Sequence, residues 1–302
     1  MPQKQTRQTT AKNALDGFLL DGQARRLKPT TINFYESQIT LFLAWLKEKG
    51  YTLLTDITPE RLRAYLIHLQ DKGLADRTQH GFARAIRAWL NFCVSEGWLQ
   101  SSPMKRVQMP KVDKNILPAL SADEVRKLLD ACESERDAAI CLLLLDCGLR
   151  AAELIALNGG DLDIRTGVLT VRSGKGGKGR IIYFSGKTGK QLARYYAHRG
   201  TPGDNEPVFL GESSLSNGRL TQSGLNQMLQ RLGKRAGVEH SNPHAWRRTY
   251  AINCLRSGMS VYHLAQLMGH SNIDVLRVYL PLAQSDLQDA HQKHSPVQSI
   301  FR

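Results

Sequence analysis

Residues 138–157 read AAICLLLLDCGLRAAELIAL, and this stretch decides the fold of the region around it. Ala138 to Leu145 is an apolar run with no period-two alternation, which predicts a helix buried on every side. Gly148 supplies a stop, and Ala151, Ala152, Leu154 and Leu157 then start a second helix. Arg150 therefore falls at the seam between a buried helix and the next one. Glu153, three residues on, lies within reach across one helical turn and can orient the guanidinium while other N–H groups face a ligand anion. An ordinary structural ion pair is the competing reading.

Upstream, Ser121 and Glu124 make a capping box ahead of Val125, Leu128 and Leu129. Downstream, Val168 to Val171 and Arg180 to Phe184 are β-type runs flanking SGKGGKG, a hairpin signal. Lys175 and Lys178 fall at its tip, where glycines let the chain turn and leave the lysines free to reach a phosphate. The stretch lacks the spacing of a nucleotide-binding P-loop. Helical patterns resume near Lys187, Thr221 and Pro243. The region from 119 to 302 is thus expected to be α-rich with a small antiparallel sheet.

The N-terminal third has a different texture. Ile32, Tyr35, Ile39, Phe42 and Leu46 recur every three or four positions, which is one face of an amphipathic helix. Thr58-Pro59-Glu60 starts another, carrying Leu62, Tyr65, Leu66 and Leu69. A third apolar stripe runs through Phe82, Ile86, Trp89, Leu90 and Cys93, and a short helix is expected near residues 11 to 24. Residues 1–105 read as a helical bundle. SSPMKRVQMPKVDKNILP (101–118) holds three prolines and four basic residues without periodicity, so a linker is expected over 106–118.

The 302-residue chain carries 41 Lys/Arg against 27 Asp/Glu, a net +14 that favours a polyanionic partner such as nucleic acid. The excess is spread evenly: residues 1–113 hold 17 basic and 10 acidic side chains, and residues 114–302 hold 24 and 17. Both domains are therefore expected to face the same polyanion. The five cysteines show no CxxC or Cys/His ligand spacing, so buried reduced thiols are expected, with no metal. No apolar stretch of signal-peptide or membrane-spanning length is present, and a cytoplasmic protein without a membrane partner is expected.

His244-Ala245-Trp246-Arg247 opens a helix, Gly269-His270 ends a later one, and Tyr279 follows. Taken singly, a histidine or a helical tyrosine is more often structural than reactive. Together, Arg150, Lys175, His244, Arg247, His270 and Tyr279 supply fixed cations, a mobile acid, two imidazoles and a nucleophile. That set can cleave a phosphodiester without a metal.

In GLRAAELIAL, SGKGGKGR, HAWRRTYA, LMGHSN and the trailing RVY, in that order, the chain resembles the tyrosine recombinase (phage integrase) family. TTINFYESQITLFLAWL, DITPERLRAYLIHL and ADRTQHGFARAIRAWLNFCVSEGW look like that family's SAM-like core-binding domain, and the layout is that of the two-domain Xer-like members. The resemblance implies that Arg150 and Arg247 bind the scissile phosphate, that Lys175 protonates the departing 5′ oxygen, and that His244 and His270 assist. Tyr279 would form a 3′-phosphotyrosine, with no cofactor. It also implies double-stranded DNA as substrate, with a homotetramer, or a heterotetramer with a related recombinase, on paired sites. Arg25, Arg26, Lys28, Arg77, Arg84, Arg87, Lys178 and Arg248 are the expected DNA contacts.

The sequence departs from the family's common pattern at Trp246, Arg248, Leu280 and Pro281, and Pro281 is expected to end the tyrosine-bearing helix. These variants point to integration, excision or resolution of a mobile element. Xer-type chromosome-dimer resolution, and a DNA-binding regulator without catalysis, are the alternatives.

Overall fold

The computed structural model describes residues 9–112, 118–172, 179–211, 218–269, 273, 276, 291 and 295–300. The chain divides into two compact units, Met1–Asn115 and Ile116–Arg302.

The first unit holds α1 (Ala11–Ala24), α2 (Pro29–Glu48), α3 (Pro59–Asp71) and α4 (Asp76–Ser95). Local chemistry sets their starts. Thr10 Oγ1 accepts from Asn13 N at 3.2 Å, and Pro29 and Pro59 sit in first turns where a missing N–H does no harm. The apolar stripes meet in a core of Ile39, Phe42, Leu46, Tyr65, Phe82, Ile86 and Trp89. Phe42 and Tyr65 pack with ring centroids 4.8 Å apart.

Part of the stretch expected to be linker belongs to this unit. Pro103–Arg106 forms a 3-10 turn, and Met104 and Val107 are buried in the same core. Arg63 Nη2 donates to Arg106 O at 2.8 Å. Prolines erase the periodicity that marks a helix, yet two apolar side chains three apart still anchor a turn. Residues 113–117 lie outside the described residues.

The second unit contains α5 (Ala122–Asp130), α6 (Glu135–Cys147) and α7 (Ala151–Ala156) ahead of a three-stranded antiparallel sheet. The strands are β1 (Leu162–Asp163), β2 (Val168–Val171) and β3 (Arg180–Tyr183), in that order across the sheet. Leu169 pairs with Ile182 and Val171 with Arg180, so the buried side of β3 carries Arg180 and Ile182, while Ile181 and Tyr183 face outward. Then come α8 (Gly186–Arg199), α9 (Gln222–Ala236), α10 (Pro243–Arg256) and α11 (Val261–Met268), with a last short helix at Pro296–Ile300. The apolar run of α6 lies at the centre: Ala139, Ile140, Cys141, Leu143 and Leu144 are buried with Leu154, Leu192, Leu229 and Trp246.

Cys93, Cys141 and Cys147 are buried, Cys132 and Cys254 half-buried, and none is in a disulfide. Among the described residues, no helix is long and apolar enough to cross a membrane.

Candidate active site

Gly148 ends α6 in the left-handed conformation, with φ +56°. The reversal sends Leu149 into the core and sets Arg150 as the residue that caps α7. Glu153, in the first turn of α7, reaches back: its Oε2 accepts from Arg150 N at 2.9 Å and its Oε1 from Arg150 Nη1 at 2.7 Å. One carboxylate thus closes the helix start and holds the arginine that starts it.

Two further arginines converge on Glu153. Arg180, from β3, makes a bidentate pair, Nη1 to Oε1 at 2.9 Å and Nη2 to Oε2 at 2.8 Å. Arg247, from α10, has Nη1 4.0 Å from Oε2 and donates the same nitrogen to Gly148 O. Each arginine also reaches the C-terminal end of α11, where backbone carbonyls concentrate partial negative charge. Arg180 Nε donates to Leu267 O at 2.7 Å, Arg247 Nη2 to Met268 O at 2.7 Å, and Arg150 Nη2 to Gly269 O at 3.1 Å. Three guanidiniums hold three successive carbonyls.

Burial would raise the Glu153 carboxyl, but the Arg180 hydrogen bonds, the Arg150 backbone N–H and the adjacent cations outweigh it and hold the pKa at about 2. Glu153 is therefore ionised throughout the neutral range. One negative charge against three fixed cations leaves a net excess of two positive charges in the cluster. The Arg150 side chain is 27% exposed, against 10% for Arg180 and 8% for Arg247, so solvent meets the cluster at Arg150. Such a site suits an anion whose charge grows during reaction.

His244 is exposed in the first turn of α10, three residues before buried Arg247, and Asn242 Oδ1 caps that turn by accepting from Ala245 N at 3.0 Å. Lys175, Lys178, His270, Tyr279, Leu280 and Pro281 lie outside the described residues. The described chain resumes at Arg180 after the lysines, and Gly269, whose carbonyl belongs to the arginine cluster, is the residue before His270 in sequence.

Sequence reading missed Arg180. Its signal was the register of β3, because an arginine on the same side of a strand as Ile182 must find a buried partner. Arg248 donates Nε and Nη2 to Pro118 O at 3.3 and 3.2 Å. Trp246 is fully buried in the core.

In the first unit, Arg25, Arg26 and Lys28 are exposed at the α1–α2 turn, with Arg25 3.3 Å from Asp21 and Arg26 at φ 54°. Along α4, Arg77 and Arg84 are exposed and Arg87 is half-buried; the Arg84 guanidinium lies 5.3 Å from the Phe34 ring centroid. Among the described residues, no group of three or more His, Cys, Asp or Glu could hold a metal ion. A groove of about 1010 Å³ opens elsewhere on the second unit, between Leu129, Leu142, Tyr183, Tyr250 and Leu267; none of the clustered arginines lines it.

The chain matches the model of the Phage integrase family over residues 118–285, and that of the Phage integrase, N-terminal SAM-like domain over residues 15–97. It is 28% identical over 285 residues to tyrosine recombinase XerC of Roseiflexus castenholzii, an alignment covering 90% of this chain and 89% of that protein. Tyrosine recombinase XerA of Thermococcus kodakarensis is 28% identical over 275 residues, covering 90% and 92%. Among solved structures, the Tn1549 transposon integrase in complex with transposon right end DNA aligns with a TM-score of 0.74 at 19% identity, covering 96% of this chain and 100% of that one. The XerH site-specific recombinase bound to palindromic difH substrate aligns at 0.69 and 19%, covering 95% and 85%. At such identities the structural likeness is one of fold. The two family models between them span most of both units, and the chain belongs to the Phage integrase family.

Proposed function

We propose that this chain is a site-specific DNA recombinase that cuts and rejoins strands through a 3′-phosphotyrosine at Tyr279. The observation that carries the reading is the convergence of Arg150 and Arg247 on Glu153, with Arg150 also held by the Gly269 carbonyl. In this reading both guanidiniums face the non-bridging oxygens of a scissile phosphate, where negative charge grows in the transition state.

Tyr279 Oη gives up its proton, with His244 as acceptor, and attacks phosphorus. The bond from phosphorus to the 5′ oxygen breaks, Lys175 protonates that oxygen, and His270 hydrogen-bonds the phosphate. The tyrosyl ester keeps the bond energy, so a 5′-hydroxyl from another strand reverses the attack and reseals DNA without a nucleotide cofactor. The substrate is double-stranded DNA at specific sites. The acting form is a homotetramer, or a heterotetramer with a related recombinase, in the cytoplasm.

A nicked suicide substrate tests this. Wild type should accumulate a covalent protein–DNA adduct that Tyr279→Phe does not form. If wild type binds the substrate and no adduct appears, the chain is a DNA-binding regulator.

A second reading concerns biological role. The mobile-element reading rested on Trp246 and Arg248, with Leu280 and Pro281. Trp246 fills the core and Arg248 bonds the Pro118 carbonyl, so both have packing reasons unrelated to role. The Xer-type alternative, chromosome-dimer resolution, is compatible with relatives named XerC and XerA. Recombination between two copies of the host's own dimer-resolution site, against none between mobile-element ends, would decide for it.

A further inference from the structure

Glu153 is held on both oxygens by Arg180, and the same guanidinium takes Leu267 O with its Nε. Arg180 thereby ties β3, α7 and the end of α11 at one point. Its side chain is only 10% exposed and Nε, Nη1 and Nη2 are all engaged, which leaves it poorly placed to meet DNA. Gly269 is shaped around it. At φ +63° that residue makes the turn after α11, and a Cβ there would come 2.9 Å from Arg180 Nη1 and 3.2 Å from its Cζ.

Without Arg180, the described partners of the Glu153 oxygens are Arg150, and Arg247 at 4.0 Å. A carboxylate released from a bidentate partner turns, and Arg150 turns with it. The end of α11 would also lose one of its three arginine anchors, the one nearest the strand. A lysine could not substitute, because a single ammonium cannot supply two parallel bonds and a third at an angle to them.

We infer that Arg180 is a positioning residue for strand cleavage, holding Glu153 and the end of α11 in the arrangement that aims Arg150 and Arg247 at the phosphate. This rests on the reading of Arg150 and Arg247 as phosphate ligands. Among the described residues, the charged groups facing Glu153 are Arg150 from the start of α7, Arg180 from β3 and Arg247 from α10. Losing Arg180 removes the main hydrogen bonds that offset burial of the carboxyl, so the acid limb of the cleavage profile should move toward neutral pH.

The test is single-turnover cleavage of a nicked suicide substrate by the full-length chain, wild type against Arg180→Ala and Arg180→Lys, between roughly pH 5 and 8. If wild type forms no adduct, the proposed function fails before this inference is reached. With wild type active, Arg180→Ala should bind a half-site about as well yet cleave about a hundredfold more slowly, the scale of a small misplacement in an active site. Its acid limb should rise, and guanidinium ion should restore part of the rate. A wild-type rate overturns the inference. So does a loss that tracks binding or melting temperature, with no change in pH profile and no recovery with guanidinium. Should Arg180→Ala not fold, Arg180→Lys decides by the same criteria: slower cleavage with a raised acid limb supports the inference, and an unshifted profile overturns it.

Discussion

Gly148 and Tyr250 pack so closely that no side chain fits between them: a Cβ on Gly148 would lie 2.7 Å from Tyr250 Cε1 and 2.8 Å from its Cγ. The glycine is also left-handed, and its carbonyl accepts from Arg247. Replacing it with alanine adds overpacking to backbone strain, so Gly148→Ala should lower unfolding free energy by about 2–4 kcal/mol. Urea denaturation at neutral pH measures this; a loss under about 1 kcal/mol would mean that α6 and α10 part easily.

Glu153 gives a pH signature to stability. Its pKa falls from the ordinary 4.5 to about 2 on folding, so its contribution is fully present above about pH 5 and drains away as pH drops through 4.5 toward 2. Denaturant titrations across that window should show wild type losing stability on this account. Glu153→Gln should be less stable at neutral pH and flatter in acid, and parallel curves for the two proteins would contradict the assignment.

Arg248 separates two roles. Because its guanidinium donates to Pro118 O, Arg248→Ala should cost about 1 kcal/mol of stability. The salt dependence of DNA binding should stay unchanged. A log–log salt slope smaller by about one unit would instead return Arg248 to the phosphate backbone.

The basic face of α4 is predicted to meet DNA. Replacing Arg77, Arg84 and Arg87 together by alanine should reduce the salt slope by about 2–3 units while the chain remains folded. Gel shifts at graded salt would read this, and an unchanged slope would leave these residues as solvated surface.

The last short helix exposes Val297 and Ile300, at 65% and 71% of their full areas. Apolar side chains this exposed favour a partner, which we expect to be a neighbouring subunit, and residues 286–294, DLQDAHQKH, lie mostly outside the described set. Truncation after Asp289 should leave half-site binding intact, weaken cooperative occupancy of a full site and alter cleavage. Recombination of paired sites at the wild-type rate by the truncated chain would exclude the tail as an intersubunit device.

The helices were legible because of local marks: Thr58 and Ser121 as caps, Gly148 as a stop, and apolar stripes such as Phe42 and Leu46. The GLR seam also announced Glu153 as the partner of Arg150, since three residues span one turn. Arg180 was hidden for a definite reason. RIIYF is apolar on both sides of the strand, so alternation could not say whether the face Arg180 shares with Ile182 is the buried one until its pairing with Val171 was known. The acceptors for the three arginines were hidden more deeply, because backbone carbonyls leave no trace in side-chain identity. Arg248 was ambiguous for another reason: a basic residue beside Arg247 looks like a DNA contact, and its hydrogen bond to Pro118 O, from a chain segment 130 residues away, leaves no trace in the local sequence.

The carbonyls of Leu267, Met268 and Gly269 are supplied by every amino acid alike. Substitutions at 267 that keep the helix can therefore accumulate without removing an acceptor, while Met268 is held by its burial with Tyr250, Ala251 and Leu264 and Gly269 is pinned by its φ of +63° and its approach to Arg180. This part of the molecule combines freedom to drift in sequence with fixed geometry. Among descendants of this chain, divergence should run through 267 and stop at 268 and 269.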